Sequence, residues 1–134
     1  MIIIKVRNYY YLIVGLLAIL FAVTHVWNGQ SVVLPTLDIK AMPMHTRTIF
    51  TYVWHIITAE NLVFGIAFIY MSFQREQLKF RIAAWIIATI LIVRLIVILG
   101  VTALLDVSSL TDTIVDSIAI VIYVALIILG TKKK

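Results

Sequence analysis

Residues 56–71 read IITAENLVFGIAFIYM and belong to an apolar run, about 49–71, that carries a carboxylate, Glu60, at its middle. A charged side chain inside a bilayer costs about 3 kcal/mol even on the most lenient scale, so an acid here needs a partner or a function. The chain as a whole is equally apolar, with 63% hydrophobic and 13% charged residues and a mean hydropathy of +1.13. These values are typical of an integral membrane protein, and lipid is therefore its expected surrounding.

Four apolar runs are long enough to cross a bilayer, which takes about 20 helical residues. Asn28 and Gly29 are expected to end the first run, and a loop containing Pro35 and Pro43 is expected to follow. Ser and Asp residues before the fourth run are candidate helix caps. The chain is therefore predicted to be a single all-α domain, a four-helix transmembrane bundle with helices over about 9–27, 49–71, 82–105 and 113–130.

Basic residues are concentrated on one side of this predicted bundle. That side holds the amino terminus, the connection SFQREQLKFR (72–81) and the carboxyl terminus, with Lys5, Arg7, Arg75, Lys79, Arg81, Lys132, Lys133 and Lys134. The opposite side holds Asp38, Lys40, Arg47, Asp106 and Asp112. The positive-inside rule then places both termini in the cytoplasm, in a multi-pass protein of the plasma (inner) membrane. The 72–81 connection is expected to be a solvated link.

Polar residues within the predicted spans converge on the outer half of the bilayer. Glu60 lies about 18 Å and His55 about 9 Å from the outer end of the second helix, and Arg94 lies about 10 Å from the outer edge. Asp116 enters the fourth helix about one turn below the surface. Because an unpaired charge is unfavourable here, Arg94 is predicted to pair with Glu60 or with Asp116.

In the fourth helix, Asp112, Asp116 and Tyr123 recur at spacings of four and seven residues. This pattern predicts one polar stripe that turns Asp116 toward the protein interior.

These residues support two interpretations. In the first, they form a site that binds or conducts a small ligand or ion, with Glu60 as the titratable group, Arg94 as its counter-charge, and His55, Asn61 and Asp116 as the lining. In the second, the charged cluster is a structural ion pair that fixes helix packing and subunit assembly. The chain is expected to be a homo-oligomer or a small subunit of a membrane complex.

A different class of function is suggested by His25 and His55, which could hold a haem between helices of an electron-transfer or accessory subunit. Two histidines without a confirming spacing do not favour haem, and each could instead bond to its local surroundings. In the outer loop, Met42, Met44 and His45 are candidate Cu(I) ligands, although a methionine beside a proline also serves as an apolar anchor.

Several other classes are disfavoured by the composition. The chain has no cysteine, which excludes disulfides and thiolate metal sites. GxSxG, P-loop, GxGxxG and HExxH patterns are all missing, which argues against an enzyme of those classes. The net charge of +5 lies at the ends of apolar runs and not in a stripe with interleaved aromatic residues, so a nucleic-acid partner is not predicted.

Overall fold

The computed structural model of the protein describes residues 5–39 and 41–133, and the side chains of all of these except residues 38 and 39. This described part does not include Lys40, Lys134 or the side chain of Asp38, which are among the charged residues counted on the two sides of the predicted bundle. Within it, all regular structure is helical, and four segments are long and apolar enough to cross a membrane: Tyr9–Leu37, Met44–Phe73, Gln77–Leu105 and Val107–Lys132. The predicted all-α fold with four membrane-crossing helices is confirmed.

Five α-helices make up these segments: α1 (Tyr9–Asn28), α2 (Leu34–Ile39), α3 (Met44–Phe73), α4 (Arg81–Leu105) and α5 (Ile114–Lys132). A π-helical turn, Gly29–Val33, joins α1 to α2, and 3₁₀ turns over Gln77–Phe80 and Val107–Thr113 precede α4 and α5. The turns extend the first, third and fourth apolar segments beyond the α-helices themselves.

The predicted loop after the first helix is wrong in its first half, because the chain stays helical to Ile39. The N–H of Leu34 donates to the carbonyl of Gly29, five residues back, as in a π-helix. Pro35 follows directly; it has no N–H to donate, and proline is an established cause of such irregularities. The second membrane helix likewise begins at Met44, earlier than predicted.

By packing, the chain falls into two compact units. The larger comprises the residues up to Val14 and from Phe68 onward, and the smaller is Gly15–Ala67. In the larger unit, α4 and α5 pack against each other and are joined through the second 3₁₀ turn. In the smaller unit, the backbones of α1 and α3 approach closely at Gly65, where a Cβ would lie 2.9 Å from the carbonyl oxygen of Gly15. Small residues permit such close packing of membrane helices.

Asp106 caps the 3₁₀ turn that leads into α5. Its Oδ1 accepts hydrogen bonds from the hydroxyl and the N–H of Ser108 (2.5 and 3.1 Å), and its Oδ2 accepts one from the hydroxyl of Ser109 (2.6 Å). These bonds, led by that of the Ser108 hydroxyl, favour the charged form and hold the pKa of Asp106 below its ordinary value. The expected cap thus starts the 3₁₀ turn, and α5 itself begins after Thr113 without a side-chain cap.

A buried polar cluster, which we call the Asn8 knot, organises one end of the larger unit. Asn8 is fully buried; its Oδ1 accepts the N–H of Tyr11 (3.2 Å) and so caps α1. Its Nδ2 donates to Oε1 of Gln77 (3.0 Å) and to the carbonyl of Gly130 (2.9 Å). One side chain therefore joins the start of α1, the turn before α4 and the end of α5.

The basic segments meet around this knot. The N–H groups of Arg7 and Asn8 both donate to the carbonyl of Ser72 at the end of α3 (2.8 and 3.0 Å). Arg81 Nε donates to the carbonyl of Thr131 (2.6 Å), and Lys133 Nζ lies 4.8 Å from the ring centroid of Tyr9. The prediction that the amino terminus, the 72–81 connection and the carboxyl terminus share one end is confirmed.

Gly130 and Gly100 form a matched pair for testing this packing. A Cβ at Gly130 would collide with the ring of buried Tyr11, whereas a Cβ at Gly100 meets nothing within 4 Å. We expect Gly130→Ala to lower the free energy of unfolding in detergent by about 1–3 kcal/mol through overpacking. Gly100→Ala should raise it by about 0.5–1 kcal/mol through helix propensity. Equal effects of the two substitutions would contradict the packing described here.

Replacing Asn8 by alanine tests the knot itself. The change removes the cap of α1 and leaves the Gln77 and Gly130 acceptors buried without their donor, so we expect a loss of about 2–3 kcal/mol in the free energy of unfolding. Asn28→Ala is the control, because Asn28 is exposed and its side chain makes no cap bond. Denaturant titration in micelles, followed by circular dichroism, measures both, and a loss as small as that of the control would refute the role of Asn8.

Candidate functional site

An open groove of about 610 Å³ follows the amino-terminal half of α3 and is called the α3 groove here. Its lining residues recur at spacings of three and four along one helical face: Met44, Arg47, Thr48, Thr51, Tyr52, His55, Ile56 and Ala59. All of them lie in the smaller unit. The groove begins at the first residue of α3 and ends at Ala59, one residue before Glu60.

The polar groups of the α3 groove are mainly hydrogen-bond donors. Arg47, half-buried, contributes a guanidinium group, and Tyr52 a phenolic hydroxyl. The hydroxyls of Thr48 and Thr51 donate to the carbonyls of Met44 and Arg47, one turn earlier (3.0 and 2.9 Å), which satisfies them within the helix. This composition suits an anionic or strongly polar ligand group.

His55 lies in the middle of the groove and has a specific partner. Nε2 of Gln30 donates to Nε2 of His55, with 3.0 Å between the two nitrogens. The sequence could not indicate Gln30, because the residue was assigned to a loop and in fact lies in the π-helical turn that continues α1.

His25 is held by Trp54. The two rings stack almost parallel, with centroids 4.2 Å apart and an interplanar angle of 6°, and Trp54 Nε1 donates to the backbone carbonyl of His25 (2.9 Å). Gly29 packs against the same indole. Sequence spacing does not indicate this aromatic contact, because His25 and Trp54 are 29 positions apart and belong to different helices.

Each of the two histidines suggested as haem ligands has a local partner. One face of the His25 ring is covered by Trp54, and Nε2 of His55 is hydrogen-bonded to Gln30. A haem shared by the two histidines stays a prediction. Among the described residues, no group of three or more His, Asp or Glu residues could hold a metal ion. Met44 and His45, suggested as copper ligands, are exposed at the start of α3, and Met42 is half-buried.

Glu60 and Asn61 follow the groove. Glu60 is half-buried, about 24 Å along α3 from Met44 by helical rise, and Asn61 is buried with 7% of its surface exposed. Glu60 therefore lies near the middle of this 30-residue helix, as the sequence predicted.

The remaining predicted site residues, Arg94 and Asp116, belong to the larger unit. Arg94 is half-buried, about 20 Å along α4 from Arg81. Asp116 is exposed. The predicted pairing of Arg94 with Glu60 or Asp116 stays a prediction.

The prediction that the acidic residues of the fourth helix turn toward the protein interior is wrong. Tyr123 is buried, but Asp112 and Asp116 are exposed. Asp112 lies in a 3₁₀ turn, where each residue rotates by about 120° instead of 100°, so its spacing of four residues from Asp116 no longer keeps the two on one face. Asp116 lies in the first turn of α5, whereas the buried residues of that helix begin at Tyr123.

Comparison with protein-family models, with curated proteins and with solved structures found no match. The class follows from the fold alone: four apolar helices of membrane-spanning length define a small multi-pass membrane protein.

The Gly29–Trp54 contact gives a test of the smaller unit. A Cβ at Gly29 would collide with the indole, so we expect Gly29→Ala to displace Trp54, weaken its bond to His25 and lower the free energy of unfolding by about 1–3 kcal/mol. Tryptophan fluorescence and near-ultraviolet circular dichroism report the displacement. In a Trp54→Ala background the same change should be nearly neutral, and equal losses in both backgrounds would contradict the contact.

Proposed function

We propose that this protein binds or conducts a small ligand or ion through a polar site on α3 that includes the α3 groove and Glu60. The observation that supports the proposal most directly is the polar groove itself, which follows one face of α3 from Met44 to Ala59. The same helix carries Glu60 near its middle, and ionisable groups are rarely retained in membrane helices without a role.

The residues have distinct proposed roles. Glu60 is the titratable group, Arg94 supplies the counter-charge, and His55 and Asn61 line the site. At the start of the groove, the guanidinium of Arg47 and the phenolic hydroxyl of Tyr52 can bind a polar group of the ligand. Gln30 orients His55 within the groove through the hydrogen bond between their side chains.

We further propose a homo-oligomer, or a small subunit of a membrane complex. Asp116 is exposed in the single chain, so it would line a site only if a neighbouring copy covers it. A carboxylate on the surface of an apolar helix is stabilised by such a neighbour.

The orientation is proposed from the basic end of the larger unit. Arg7, Arg81 and Lys133 belong to segments that meet around the Asn8 knot. The positive-inside rule favours a cytoplasmic position for this end, and we propose on that basis that both termini lie in the cytoplasm, as parts of a protein of the plasma (inner) membrane.

Ion flux into vesicles tests the role of Glu60. Purified protein is reconstituted into liposomes, and proton, potassium and chloride fluxes are followed with a pH-sensitive or voltage-sensitive dye. We expect faster flux of at least one ion than in empty vesicles, and a decrease of about tenfold in Glu60→Gln, because one lost charge interaction of about 1.4 kcal/mol corresponds to that factor.

Asp112→Asn is the control, since it neutralises an exposed carboxylate outside the groove. Unaltered flux in Glu60→Gln, together with a changed elution volume of the oligomer, would refute the proposal and favour a structural charge cluster. A Soret absorption band in the purified protein that disappears in His55→Ala would instead establish the electron-transfer alternative.

A further inference from the structure

We infer that the connection between α3 and α4 binds the headgroup of an anionic phospholipid. The site is a second groove, of about 500 Å³, lined by Phe73, Gln74, Arg75, Glu76, Lys79 and Phe80 and called the headgroup groove here. It lies wholly within the larger unit and is separate from the α3 groove. The inference does not depend on the proposed function.

The position of the headgroup groove matches the level of lipid headgroups. It lies between the end of one candidate span, at Phe73, and the start of the next, at Gln77. Tyr70 and Phe80 pack edge to face beside it, with centroids 6.1 Å apart and an angle of 84°. Aromatic residues at this level contact the glycerol and upper acyl region while polar neighbours face the headgroup.

The charges of the groove fit a phosphodiester. Arg75 is exposed and can donate two parallel hydrogen bonds to phosphate oxygens, and Lys79 adds a second cation. Lys79 pairs with Glu76 at 2.5 Å, but the two side chains are 72% and 66% exposed. Exposed pairs of this kind contribute little, so an incoming phosphate can replace the Glu76 carboxylate as the partner of Lys79.

The backbone of the groove is already ordered. Gln77 is buried, with 8% of its surface exposed, and Nε2 of Gln77 donates to the carbonyls of Met71 and Gln74 (3.0 and 2.6 Å). Its Oε1 accepts from Asn8 in the knot. A loop fixed in this way loses little conformational entropy when it binds a ligand, which favours a specific site over a loose, solvated link.

The surrounding surface selects for negative lipids. Arg7 and Lys132 are exposed at the same end of the larger unit. A basic surface beside membrane spans attracts anionic headgroups diffusely, and this attraction is weaker than the direct hydrogen bonds to phosphate that Arg75 and Lys79 can make in the groove. The headgroup groove would then bind one lipid molecule within the larger positively charged surface that these basic residues form.

Lipid binding to the full chain in neutral detergent tests the inference. Phosphatidylglycerol and phosphatidylcholine with identical acyl chains are titrated, and bound lipids are counted by native mass spectrometry. We expect at least about fivefold tighter binding of phosphatidylglycerol, and a loss of about fivefold for each of Arg75→Gln and Lys79→Gln. Glu76→Gln should change affinity in the opposite direction, because it removes the competing carboxylate.

Lys132→Gln is the matched control, since it removes an exposed basic residue outside the headgroup groove. Equal binding of the two lipids would overturn the inference, as would a loss in Lys132→Gln equal to that in Arg75→Gln, which would indicate only diffuse attraction. Competition by glycerol phosphate as effective as that by the whole lipid would show a soluble ligand instead. The unfolding midpoints without lipid should be the same for all these exposed-site variants.

Discussion

The hydrogen bonds of Asn8 are the interaction on which the described architecture of the larger unit depends. Near a bilayer each buried polar group needs an internal partner, and a single amide that caps α1 also bonds Gln77 and the carbonyl of Gly130. The absence of a Cβ at Gly130 allows Tyr11 to pack at the same place. At this end of the larger unit, the hydrogen bonds of the buried Asn8 and the close packing of Tyr11 against Gly130 therefore occur together. The same contacts bring the basic segments to this end.

The number and type of the membrane helices could be predicted from sequence because hydropathy and length are sufficient to decide them. The helix ends could not. Asn28, Gly29 and Pro35 have the composition of a loop, yet the chain remains helical through them. Gly29 lies against Trp54, a residue 25 positions further along, and such tertiary packing overrides local propensity. The polar contact between Gln30 and His55 is a direct consequence of this extended helix.

The candidate site, too, could be predicted from the sequence only in part. Glu60 and His55 could be selected from sequence because ionisable groups in apolar runs are rare. The polar face formed by Arg47, Thr51 and His55 was not predicted, because the sequence placed Arg47 in a loop and only the extended start of α3 brings it into that face. For Asp116, periodicity correctly puts the residue on the same face of α5 as Tyr123, seven residues away. The buried surface of that helix begins only at Tyr123, two turns later, so Asp116 is exposed.

The span of the Asn8 bond to Gly130 has a consequence for biosynthesis. The two residues are 122 positions apart, so the first helix leaves the ribosome long before the last one exists. During that interval the Asn8 side chain can bond only to Tyr11 and, once it has been made, to Gln77. The cluster is therefore complete only after α5 has been synthesised and has packed against the rest of the larger unit.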